Sequence, residues 1–98
     1  MIDDDKRKAY QEKLDAQLKE WNAQVSLLKA RADKARAETK IDYYKIIDAL
    51  QKKVDEARPK LQELKIASDE AWEDLKSSAE KAWAEVKTAL DSAVSKFK

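Results

Sequence analysis

Bulky apolar residues recur every eleven positions along most of this chain, a spacing that only long helices can use. The C-terminal third shows the repeat openly: SDEAWEDLKSS (68–78), AEKAWAEVKTA (79–89) and LDSAVSKFK (90–98). Stacked, they align Ala71, Ala82 and Ala93, then Trp72, Trp83 and Val94, then Leu75, Val86 and Phe97, then Lys76, Lys87 and Lys98, with Leu90 opening the last copy. That is a true internal repeat. Upstream, Tyr10, Trp21, Ala32, Tyr43 and Val54 keep the same interval. So do Leu28, Thr39, Leu50 and Leu61, which lead on to Trp72 and Trp83. Leu14, Leu18, Val25, Ile46, Ile47 and Leu64 fill the stripe between them. Eleven residues over three turns is about 3.67 per turn, close to a straight helix, whereas a pure heptad would force left-handed supercoiling. The expectation is long, fairly straight helices of mixed seven- and eleven-residue spacing.

Composition agrees. Gly is absent, Pro59 is the one proline and Asn22 the one asparagine, so the usual residues for left-handed turn positions are missing. A hairpin-rich β architecture is excluded on that ground. Charge content of 42% is the signature of disorder. Against disorder stands the 43% of hydrophobic residues, placed in helical register. The fold class expected is all-α, a single domain over 1–98.

Helix ends are sparsely marked. Asp3, Asp4 and Asp5 suit a first turn and Lys96 and Lys98 a last one. Pro59 cannot donate a helical hydrogen bond and disfavours helical torsions at Arg58. The expected architecture is therefore an antiparallel hairpin, helix 3–58 and helix 60–97, assembled into a coiled-coil-like bundle. Ser68-Asp69 offers a good N-cap and is the alternative turn; a single kinked rod is the third arrangement, since the stripe stays in phase through both places. A Pro59 hairpin would bring Trp83 to Ala35, Trp72 to Ile46 and Phe97 to Trp21. A turn near Ser68 would leave Tyr10, Leu14, Leu18, Trp21, Val25 and Leu28 with no cover from the same chain.

Self-association follows from that hairpin. Its arms would measure about 80 and 60 Å at 1.5 Å per residue, so the longer would overhang with Tyr10, Leu14 and Leu18 in water. Each such residue forfeits ~1.5–3 kcal/mol of burial. A second copy would cover them, giving a homodimer or higher helical bundle. The stripe from Tyr10 to Phe97 is then the self-association seam. Asp15/Lys19, Asp48/Lys52 and Glu56/Lys60 are spaced for weak helical ion pairs.

The residues offer little chemistry. Without His the commonest general base near neutral pH is missing, and without Cys there is no thiolate ligand or redox relay. No phosphate-cradling glycine loop can exist, and Ser26 and Ser68 have no base implied beside them. No catalytic residue, cofactor or metal is expected. Lysine and arginine number 21 against 20 acids, with 14 and 12 in residues 1–58 and 7 and 8 in 59–98. Segment 29–40 is the most basic, a local +3, but nucleic-acid binders present larger unopposed patches. Trp72, Trp83 and Phe97 could serve an interfacial lipid-binding helix. The 5 lysines and 7 acids of 68–98 argue against anionic lipid, leaving a protein seam as the favoured reading. The acidic start, Met1-Ile2-Asp3-Asp4-Asp5, is unlike a secretion signal, and no apolar run approaches the ~20 residues of a membrane span. A cytoplasmic protein is expected.

At AWEDLKSSAEKAW (71–83) and LKEWNAQV (18–25) the chain resembles a class of small bacterial coiled-coil proteins, notably cyanobacterial, associated with stress conditions. That likeness covers most of the chain and implies a stress-related role, with no catalytic residues to carry over. In periodicity alone the chain is similar to exchangeable apolipoproteins and late-embryogenesis-abundant proteins, which implies lipid or desiccation behaviour. Its tryptophan-rich stripe is bulkier than late-embryogenesis-abundant helices carry.

Overall fold

A computed structural model describes residues 4–97. They form three helices, α1 (Asp4–Asp33), α2 (Ala37–Lys65) and α3 (Asp69–Lys96), in a bundle 54 Å long and 18 Å across. The all-α helical hairpin bundle is what the chain adopts, with one more turn than the sequence announces. Asp4 and Asp5 occupy the first turn of α1; Asp3 and Lys98, also assigned to helix ends above, lie outside the described residues.

The helices run up, down and up. Gln11 near the start of α1 donates to the Leu64 carbonyl at the end of α2, and Tyr44 near the start of α2 donates to Asp33 at the end of α1. Arg7 meets Asp69 at one end of the molecule and Arg31 meets Phe97 at the other, so α1 and α3 are parallel. α2 packs closely on both neighbours. Ala32, Ala57, Ala79 and Ala93 are buried, and such short side chains let helices approach. Between α1 and α3 the space is filled by rings instead: Tyr10 against Trp72 and Trp21 against Trp83, both 5.7 Å between centroids.

Pro59 does not break the chain. α2 continues through it, which corrects the expected hairpin of 3–58 and 60–97. Pro59 and Asp55, whose carbonyl the missing N–H would have reached, are both exposed, so water can take that bond. On the opposite face Val54, Ala57, Leu61 and Leu64 are buried on either side of the proline and hold the helix together. The alternative turn is real: α3 begins after Ser68, whose hydroxyl accepts from the Ala71 amide at 3.3 Å.

The second turn, at residues 34–36, was not expected. α1 tightens at its end, Lys34 and Ala35 donating to the carbonyls three residues back, and Arg36 is extended at φ −65° and ψ 151°. Arg36 makes no side-chain capping bond. Ser68 is extended in the same way, at φ −69° and ψ 164°. Neither turn uses a positive φ, and none occurs among the described residues. That is how a chain without glycine reverses direction twice.

Candidate association surface

The expected seam lies inside a single chain. Leu14, Leu18, Trp21, Val25 and Leu28 of α1 are buried, as are Ile47, Leu50, Val54, Leu61 and Leu64 of α2 and Trp72, Trp83, Val86 and Phe97 of α3. Tyr10, Tyr43, Ile46, Leu75 and Leu90 are half-buried against them, and Val94 is half-buried on α3. The overhanging arm that called for a second copy does not exist, because the turn at 34–36 folds α1 back over α2 and α3. Ring partners differ accordingly. Trp83 meets Trp21 rather than Ala35, Trp72 meets Tyr10 rather than Ile46, and Phe97 stacks on Tyr43 at 4.1 Å rather than meeting Trp21.

Polar groups lock the ends of this core. Arg7 donates to Asp69 at 2.8 Å and to the Ala67 carbonyl at 2.7 Å, with its guanidinium 5.4 Å from the Trp72 ring centre. Lys76 sits over Tyr10 at 5.2 Å and over Trp72 at 5.6 Å. At the far end Arg31 donates to the Phe97 carbonyl at 3.0 Å and covers its ring at 5.9 Å. Such cation–ring contacts contribute about 0.5–1 kcal/mol each at exposed sites. Sequence reasoning placed Arg31 in a basic patch and gave Arg7 no role; both are long side chains whose partners lie sixty or more residues away.

Tyr10 donates to Glu80 at 3.3 Å. Burial, then the charge of Glu80 and the bond to it, push the phenol pKa up to about 12. The Tyr44 phenol is also raised, chiefly by its bond to Asp33. The indole N–H groups of Trp72 and Trp83 are buried without an acceptor. Leaving such a donor unmet costs ~1–3 kcal/mol, so the rings are held by shape and area rather than by polar bonds.

Outside, among the described residues, the large apolar side chains that remain exposed are Leu27, Ile41, Tyr44 and Ile66, the last at 86% on the turn before α3. They are scattered. Leu27 lines a groove with Arg31, Lys34 and Val94 between α1 and α3, while Tyr44 lies on the α1–α2 side against Asp33. The basic segment 29–40 is divided by the turn and belongs to two helices. Surface ion pairs also differ from the expected spacing, Glu56 lying 4.0 Å from Lys53 and Lys60 4.0 Å from Glu63. Among the described residues no group of acids is placed to hold a metal ion, and no helix is long and apolar enough to cross a membrane. Compared with known proteins, the chain matches no family model, no curated protein and no solved structure.

Proposed function

We propose that this chain is a non-enzymatic structural protein that acts by packing its amphipathic helices against other helices, further copies of itself first among them. The observation that carries the reading is the character of the interior. Side chains from all three helices fill it, and among the described residues each one that is buried is apolar. Within one chain those faces cover one another, and a second copy offers each of them the same pattern to pack on. Among the described residues no charged group is buried, and the sequence has neither His nor Cys to supply a neutral-pH base or a thiolate. A scaffolding or protective role under stress, in the cytoplasm, is the setting proposed from the likeness of segment 71–83.

Lipid binding through Trp72, Trp83 and Phe97 has weaker support, because the rest of the chain already covers those rings. Polyanion binding through 29–40 is weakened too, with Arg31 committed to Phe97.

Light-scattering mass across a dilution series tests the proposal. A mass rising from one chain towards two or more as concentration increases is the expected result. One chain's mass throughout, up to millimolar protein, rejects self-association.

A further inference from the structure

We infer that this chain pairs with a second copy by exchanging α1, its turn at 34–36 straightening so that α1 and α2 become one continuous helix. The inference rests on the self-association proposed above and names how it is made. Three independent features meet at that turn.

First, little in the turn opposes a helix. Lys34, Ala35 and Arg36 are strong helix formers, and residues 29–38 contain only Lys, Ala, Arg, Asp, Glu and no Gly, Pro, Asn or β-branched residue. Arg36 stands at the N-cap with no side-chain bond to the amides after it, whereas Ser68 caps α3 with its hydroxyl. One turn is therefore chemically specified and the other is not.

Second, the buried faces of α1 and α2 are in phase. Leu18 and Val54, Trp21 and Ala57, and Leu28 and Leu64 are buried pairs 36 residues apart. Thirty-six residues make ten turns at 3.6 residues each, so straightening yields a rod with one unbroken apolar face.

Third, the α1–α2 register is symmetric about the joint. Gln11 meets Leu64 and Asp33 meets Tyr44, so both pairs straddle nearly the same midpoint. Two straightened rods laid antiparallel rebuild those contacts between copies. Near the crossing the stripe presents Ala32, Ala35 and Thr39, small enough for the rods to lie close. The clasps from α1 to α3, Arg7 to Asp69 and Arg31 to Phe97, pass from within a chain to between chains unchanged.

Exchange of this kind conserves tertiary contacts and alters only the hinge. What is gained is continuous helical hydrogen bonding at two hinges. What opposes it is the lost freedom of two molecules, so the dimer must grow with concentration.

Spin labels on Lys19→Cys and Glu56→Cys test it in the full chain, which has no other cysteine. Both positions are exposed and nearly level across α1 and α2 in the closed bundle. Along a straight rod they are about 55 Å apart at 1.5 Å per residue. Labelled protein diluted into excess unlabelled protein reports the distance within one copy, read alongside the mass of the same sample. A dimer with the long distance is the expected result. A dimer that keeps the short distance overturns the exchange while self-association stands, and a monomer at every concentration overturns both. A second measurement uses Arg36→Ser, which supplies the missing cap. It should favour the closed hinge about fivefold per copy, hence raise the dimer dissociation constant about 25-fold. Ser68→Ala, altering a cap that both forms retain, should leave that constant within about twofold. Equal effects of the two substitutions would refute the hinge.

Discussion

Trp72 and Trp83 are 2% and 6% exposed, and each rests on a ring contributed by α1. Removing Trp83 to alanine leaves a large void beside Trp21, and the expected cost is ~3–5 kcal/mol on denaturant unfolding. Trp83→Phe should cost about 1 kcal/mol or less, since the area lost is offset by removing a buried N–H that has no acceptor. If Phe proved as damaging as Ala, the indole N–H would have to be bonded after all. Tyr10 gives a pH signature. The folded chain holds its phenol proton to about pH 12, while an unfolded tyrosine releases it near 10. Its contribution is therefore complete below pH 10 and fades as pH climbs towards the folded value. Between pH 9 and 11 the wild type should lose more stability than Tyr10→Phe, as urea midpoints at matched ionic strength would show. An equal loss in the two proteins would contradict the burial of that phenol beside Glu80.

At the level of whole helices, termini and the one proline set the balance. Ser68→Ala deletes the one side-chain cap seen at the two turns and should cost about 1 kcal/mol. Pro59→Ala should stabilise, by up to ~3 kcal/mol, because it restores a hydrogen bond in the interior of α2 without touching a buried side chain. A destabilising result there would mean that the proline sets the course of α2 against its neighbours. A carbonyl ending α2 and one in the link after it are met from α1, by Gln11 at Leu64 and Arg7 at Ala67. Thus α1 completes the end of an element far from it in sequence, and trimming α1 should fray the 64–68 turn first.

The molecule as a whole is a slim bundle joined by two three-residue links. Its core is one cluster shared by all three helices. Covering is thus achieved within one chain, and the tryptophans should resist iodide quenching at every protein concentration. Quenching that rises on dilution would show that a second copy supplies the cover. The α1 exchange leaves that property unchanged, because closed monomer and exchanged dimer bury the same rings.

Much of this was open to reading from the order of residues. The helical state and the stripe from Tyr10 to Phe97 follow from spacing and from the lack of glycine, and Ser68, a side chain able to cap, stood as the alternative to Pro59 for a turn. These are local effects, acting within a few turns. The course of the chain at Pro59 and at 34–36 was decided elsewhere. At Pro59 a strong local signal to break is overruled by Val54, Ala57, Leu61 and Leu64, whose burial against other helices outweighs one lost hydrogen bond. At 34–36 a helix-favouring stretch is bent because folding back buries Leu14, Leu18, Trp21, Val25 and Leu28 against α2 and α3. The stripe by itself states only that those side chains must leave water. Which surface receives them depends on the total area that each way of folding removes from solvent, a sum taken over contacts dozens of residues apart.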